Sequence, residues 1–386
     1  MNINLMTQNR NFITHLHEWT SEDIYFSAND YFNDLIYNIE NAKQSIYFEC
    51  YIFYRDRLGL KIINALIKAA QRNIEIRLII DGYGSLNWNA QQLAELTDAG
   101  IFIRIYHPLP WRISLYERTT IKKNFFIKFI YLSSRINKRN HRKLYIIDRK
   151  TAWSGSMNIS ADHIIQKTGN KPWFDCGIKI DGEPIIELVD NFNEIWEKKH
   201  LIIIDNTHLP FRVNNNILRR KKKNNELANL IESCHDRVWI ISAYLAPSQR
   251  IINALKAAKI NGAEVKLIIS HHSDVIFFPL ISTTYYAELL QAGIEIYENN
   301  EHIIHAKTIL LDDIALVGSS NLNHRSFLHD LEIDILLTKP PSLQTLKVKF
   351  NQLIENSNKI SILKLKSLPW YYNVLGKIIW NIRYWL

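Results

Sequence analysis

The sequence predicts an α/β protein of two fused, pseudo-twofold-related α/β sandwich lobes, each a mixed sheet flanked by helices. Three observations carry this. The chain has 386 residues, more than one typical core can use. Apolar, β-branched runs alternate with segments of helical periodicity, the mark of βαβ units. The same order of elements also occurs twice.

Residues 44–81 (QSIYFECYIFYRDRLGLKIINALIKAAQRNIEIRLIID) read as an apolar strand, a helix with apolar residues at i, i+3 and i+4, and a second strand. Residues 235–270 repeat that order, and both copies contain Ile-Ile-Asn-Ala-Leu, at 62–66 and 251–255. Segments 93–106 and 287–297 each add a helix, a closing glycine (Gly100, Gly293) and another strand. The last matched pair is HRKLYIIDRKTAWSGSMN and HAKTILLDDIALVGSSN. The expected organisation is a first lobe over 1–205, a linker over 206–225, a second lobe over 226–366 and a tail over 367–386. The basic run Arg219–Lys223 falls in the linker and reads as solvated surface.

Hydrophobic residues make up 47% of the chain, enough to fill two cores and too many for disorder. The net charge of +9 implies anionic partners, whether nucleic acid, acidic lipid or phosphorylated small molecules. Cys50, Cys176 and Cys234 are widely spaced and form neither a disulfide framework nor a metal pattern, which fits a reducing compartment. The first residues lack the basic start and apolar run of a secretory signal. No stretch reaches the roughly 18 apolar residues that a spanning helix needs.

The chemistry lies in the repeated ends. His141, Lys143 and Asp148 form H-x-K-x-x-x-x-D, and His305, Lys307 and Asp312 form it again. Gly155-Ser156-Met157-Asn158 and Gly318-Ser319-Ser320-Asn321 follow at homologous places. One such motif alone carries little; two in register within a repeat are specific. In a strand, residues i and i+2 share a face, so each His and Lys project into one cleft. Lysines act as point-charge phosphate ligands, with Ser156, Asn158, Ser319 and Asn321 as neutral phosphate-binding partners. One histidine can attack phosphorus while the other protonates the leaving alkoxide. The lysines carry the charge stabilisation, so this chemistry calls for no metal and no cofactor. Asp148 and Asp312 belong to the catalytic motif, but each lies beyond an apolar run at a hairpin turn, which suits a structural tie. Asp175 and Glu332 fall on the strand after each GS-x-N element. There, each is expected to orient a histidine through Nδ1, leaving Nε2 to attack.

This arrangement resembles the phospholipase D superfamily, defined by duplicated HxKxxxxD motifs. It is most similar to bacterial cardiolipin synthases of the type lacking N-terminal membrane-spanning helices. SIYFECYIF, LIIDGYGS, NHRKLYIIDRKTAWSGSMNIS, ISAYLAP and HAKTILLDDIALVGSSNLNHRSF carry the resemblance, which covers about residues 22–340. It implies sandwich lobes whose motifs meet at their interface, catalytic roles for His141, Lys143, His305 and Lys307, and His141 as nucleophile. It also implies transfer of a phosphatidyl group, from a donor such as phosphatidylglycerol, onto the hydroxyl of another lipid. The expected partners are phospholipid substrates and an anionic phospholipid membrane, with no nucleic acid and no obligate protein. The expected place is peripheral, on the cytoplasmic face of the bacterial inner membrane. Hydrolysis to phosphatidic acid is the alternative, and a nuclease of the same superfamily a weaker one.

Two segments depart from the repeat. Gly100 to His141 spans 41 positions and Gly293 to His305 spans 12, so the first lobe carries 41 − 12 = 29 extra. Much of that insert, 108–140, is basic and aromatic. Phe125, Phe126, Phe129 and Tyr131 suit a bilayer interface, and Lys122, Lys123 and Lys128 suit anionic headgroups. The tail 367–386 mixes Trp, Tyr, Lys and Arg and also suits the interface.

Overall fold

The computed structural model describes residues 17–119, 121, 123–164, 171–198, 209–275 and 278–366. The tail 367–386 and Lys122 lie outside them.

The first lobe contributes strands β1 (Ser21–Tyr25), β2 (Ser45–Cys50), β3 (Glu75–Asp81), β4 (Ile101–Tyr106), β5 (Lys143–Ile147), β6 (Thr151–Gly155), β7 (Trp173–Phe174) and β8 (Gly177–Asp181). The second contributes β9 (Phe211–Val213), β10 (Arg237–Ser242), β11 (Glu264–Ser270), β12 (Glu295–Asn299), β13 (Ile303–Ile304), β14 (Lys307–Leu311), β15 (Ile314–Gly318), β16 (Ile333–Leu337) and β17 (Ser357–Lys359). The first sheet runs β1-β8-β6-β5-β2-β3-β4; the second runs β17-β12-β11-β10-β14-β15-β16-β9. Six strands correspond one to one, and β1 and β9 occupy the same edge in each lobe. In both sheets three parallel strands join an antiparallel hairpin that carries the motif.

Both faces of each sheet are covered, which is why the strands read as nearly unbroken apolar runs. Alternation along a strand divides its side chains between two cores. In β2, Ile46, Phe48 and Cys50 join the outer core of lobe one, whereas Tyr47 faces the other lobe. In β10, Val238 and Ile240 face outward, while Trp239 and Ile241 face inward. The inner core is continuous across both lobes and includes the helices Ile185–Glu197 and Pro340–Glu355. The lobes therefore share one apolar layer, and the motif hairpins meet at its rim.

The expected linker 206–225 is largely structured. β9 pairs with β16 of the second sheet, and Ile217–Glu232 is one helix capped by the Asn216 side chain. Part of the basic run on that helix is held in ion pairs, while Lys221 stays exposed as the solvated reading expects. Arg219 meets Glu194 at 2.6 Å, and the largely buried Lys223 meets Asp334 at 2.9 Å. Composition alone suggested a linker because these charges find partners distant in sequence.

Candidate active site

Each histidine sits just before its motif strand, on backbone stitched to the opposite lobe. His141 N donates to Leu331 O at 2.9 Å, and His305 N donates to Phe174 O at 2.8 Å. The i, i+2 geometry brings each lysine back over its own histidine. Lys143 Nζ donates to His141 O at 2.8 Å, and Lys307 Nζ donates to His305 O.

The orienting carboxylates are exchanged between lobes. His141 Nδ1 lies 3.1 Å from both oxygens of Glu332, a residue of lobe two. His305 Nδ1 lies 2.7 Å from Asp175 Oδ1, a residue of lobe one. Each lobe thus builds the seat for its partner's imidazole. With Nδ1 occupied, Nε2 is the free nitrogen on both rings.

The structure also moves the serines. Ser156 Oγ donates to Asp175 Oδ1 at 2.7 Å, and Ser319 Oγ donates to Glu332. A hydroxyl has one proton, so neither serine can donate to a phosphate while it holds its carboxylate. The phosphate-binding role assigned to them is corrected to support of the orienting acids. Asn158 and Asn321 each keep a buried, unpaired side-chain oxygen and remain candidates for substrate contact. Gly155 and Gly318 precede the serines because a Cβ would collide with the neighbouring strand, at Cys176 O and Ile333 O respectively.

Asp148 and Asp312 do not belong with the catalytic groups. Asp148 accepts from the backbone N–H of Lys43, Gln44 and Ser45, at 2.7 to 3.1 Å. Asp312 does the same for His235, Asp236 and Arg237. Both stand at positive φ in their hairpin turns, a conformation that Asp tolerates better than most residues.

Sequence reasoning missed His163. Its Nδ1 lies 2.7 Å from Asp175 Oδ2, and its Nε2 accepts from Asn158 N at 3.3 Å. With Nε2 accepting, the ring proton stands on Nδ1, facing Asp175. Ser326 stands at the matching position of the second repeat, five residues after the motif asparagine, and makes the same bridge. It accepts from Asn321 N at 3.1 Å and donates to Glu332 Oε1 at 2.6 Å. The shared offset of five was visible in the sequence; the shared task was not, because imidazole and hydroxyl look unrelated there. Also unforeseen were Arg142, whose Nε donates to Glu332 O at 3.2 Å, and Asn214, whose Oδ1 accepts from Glu332 N at 2.7 Å.

Among the described residues, His163, Asp175 and His305 form the one cluster with metal-ligand spacing. Both imidazole Nδ1 atoms already bond the two oxygens of Asp175, so the arrangement is a closed hydrogen-bonded set. It drew no notice in the sequence because Asp175 and His305 lie 130 residues apart.

Burial and the charge of Lys143 push His141 down to about 4. His305 is lowered to about 4 by burial and Lys307. Lys143 falls to about 7 through burial and repulsion from Lys307, and Lys307 falls to about 8 through burial. Lys143 thus feels the charge of Lys307 from the other lobe. Burial alone would raise Glu332, but His141, Lys223 and Lys143 outweigh it and hold the carboxyl at about 2. Asp175 is likewise held low by His163 and His305 against its burial. The resting site therefore has two neutral imidazoles, each backed by a carboxylate and flanked by a lysine.

Two fused α/β lobes, each carrying one HxKxxxxD motif where the lobes meet, place the chain among the phospholipase D-like proteins with a duplicated motif. A family model described as cardiolipin synthase, PLD-like domain, matches residues 35–196 and 227–354, and the chain belongs to this family. A cardiolipin synthase of Clostridium perfringens strain SM101 is 30% identical over 363 residues, covering 88% of this chain and 71% of that protein. Cardiolipin synthase B of Salmonella typhimurium is 29% identical over 336 residues, covering 83% and 77%. The solved structure of phosphatidylserine synthase from Haemophilus influenzae superposes with a TM-score of 0.69 over 98% of both chains at 14% identity, which shows the common fold.

Proposed function

We propose that this protein is a phosphatidyltransferase that moves a phosphatidyl group from one phospholipid, such as phosphatidylglycerol, to the hydroxyl of another, forming cardiolipin. The observation that supports it best is the pair of imidazoles held by carboxylates through Nδ1, leaving two Nε2 atoms and two lysines for one phosphodiester. Binding the diester anion between Lys143 and Lys307 cancels the lysine repulsion that adds to burial in keeping the histidines neutral, so one of them takes up a proton. The neutral imidazole, assigned to His141, attacks phosphorus through Nε2. The P–O bond to glycerol breaks as His305 Nε2–H protonates the departing oxygen. An acceptor hydroxyl then gives its proton to His305 and attacks phosphorus, and the P–N bond breaks. Glu332 and Asp175 stabilise each imidazolium as it forms.

Among the described residues, no helix is long and apolar enough to cross a membrane. With a basic chain and lipid substrates, the proposed place is peripheral, on the cytoplasmic face of the bacterial inner membrane.

Purified protein incubated with phosphatidylglycerol vesicles tests the reading, with products identified by mass. Cardiolipin and glycerol in equal amounts are expected. Phosphatidic acid alone would make the protein a hydrolase, and no lipid turnover would overturn the reading. Alanine at His141 or at His305 is expected to abolish turnover; full activity in either variant would refute the shared site.

A further inference from the structure

The insert of the first lobe carries a helix, Phe125–Ser133, that turns most of its apolar side chains to solvent. A surface helix normally turns its apolar stripe inward. Here Leu132 is buried against Tyr116 and Ile121, yet Phe125, Phe126, Ile127, Phe129 and Ile130 are exposed, Phe126 at 75%. The helix is nevertheless fixed in place. The Asn124 side chain caps its start, and Lys128 Nζ donates to Tyr116 O at 2.8 Å.

Beside it lies a second, independent feature. Three cations gather on the ring of Tyr131: Lys198 Nζ at 4.3 Å from the centroid, Arg135 Cζ at 4.4 Å and Lys123 Nζ at 5.5 Å. None of the three has a carboxylate ion-pair partner among the described residues. Their mutual repulsion is felt: Lys198 is lowered to about 8 by burial together with Arg135 and Lys123. Neighbouring His107 adds no charge, since burial pushes it down to about 3. A positive cluster with no carboxylate partner among the described residues, next to a wedge of exposed apolar side chains, is complementary to one kind of surface, hydrocarbon beneath phosphate headgroups.

We infer that the Phe125–Ser133 helix and the Lys123–Arg135–Lys198 cluster form a docking element for an anionic phospholipid bilayer. Phe126 and Ile130 enter the acyl boundary, and the cations bind headgroup phosphates. This rests on the lipid-enzyme reading above and adds the face through which the enzyme meets its substrate.

Vesicle flotation tests the inference. Full-length protein should bind phosphatidylglycerol vesicles and lose affinity as salt rises, with little binding to phosphatidylcholine vesicles. The double variant Phe126→Ser/Ile130→Ser and the triple variant Lys123→Gln/Arg135→Gln/Lys198→Gln should each weaken binding by about tenfold or more. Wild-type affinity in either variant, with melting unchanged, would overturn the inference. Because all three native cysteines are buried, a polarity-sensitive dye on Phe126→Cys reports that position selectively. A blue shift on phosphatidylglycerol vesicles is expected, and no shift would also overturn the inference. Turnover of phosphatidylglycerol in detergent micelles keeps the two readings apart. An inactive wild type that still binds vesicles through these residues defeats the transferase reading, whereas an active one whose variants bind unchanged defeats the docking element.

Discussion

Replacing Glu332 by Gln removes a charge from the site and leaves its volume nearly unchanged. The carboxylate accepts from His141 Nδ1, from Ser326 Oγ at 2.6 Å and from Ser319 Oγ. A glutamine amide turns a donor toward one of these three donors, and the imidazolium formed during transfer loses its counter-charge at 3.1 Å. With the charge centres about 4 Å apart and an effective dielectric near 20, that attraction is on the order of 4 kcal/mol, or ~10³ in rate. The assay is turnover of phosphatidylglycerol in mixed micelles at pH 7, and kcat should fall ~10³-fold with KM little changed. Stability gives a second readout. Glu332 is lowered from 4.5 unfolded to about 2 folded. Its stabilisation is therefore present above pH 4.5 and is lost as pH falls toward 2, on the order of 3 kcal/mol. Urea unfolding should show that acid-sensitive part in the wild type and not in the variant. A kcat within a few fold of wild type would refute the cross-lobe orientation of His141.

Three further outcomes follow from the same geometry. His163→Ala leaves Asn158 N and Asp175 Oδ2 unpaired and should lower turnover ~10- to 100-fold, while His163→Gln, which can both donate and accept, should recover most of it; equal activities would remove His163 from the seat of His305. Asp148→Ala deprives three backbone N–H groups of their acceptor and should cost ~2–4 kcal/mol in urea unfolding with kcat per folded molecule unchanged, and a selective loss of kcat would return Asp148 to the chemistry. For a dispersed short-chain substrate, kcat/KM should decline below about pH 4 as His141 is protonated, and above about pH 7 as Lys143 loses the charge that holds phosphate. A flat profile from pH 6 to 9 would contradict the role of Lys143.

The duplicated fold was legible because it depends on local pattern. Apolar runs such as Ser45–Cys50 and Arg237–Ser242 become strands whose faces are both covered, and periodicity records that directly. His141, Lys143, His305 and Lys307 were legible for the same reason, since i, i+2 geometry needs only a strand. Asp148 and Asp312 could be placed in turns by counting residues. The stretch 206–225 misled because its helix and strand are held by Glu194, Asp334 and β16, none of which is near in sequence.

What the sequence determined by itself is the set of chemical groups, two identical kits of imidazole, ammonium and carboxylate on two copies of one fold. What only the tertiary structure decided is how the kits are combined. The lobes meet across one apolar layer, so residues 139–141 are stitched to Leu331, and 303–306 to the 172–174 segment, as neighbouring backbone. That contact carries Glu332 to His141 and Asp175 to His305, a pairing over 191 and 130 residues that no local pattern can encode. The same packing leaves the serines on the carboxylates and gives His163 and Ser326 one task, because a buried carboxylate needs donors on both of its oxygens, whatever side chain supplies them.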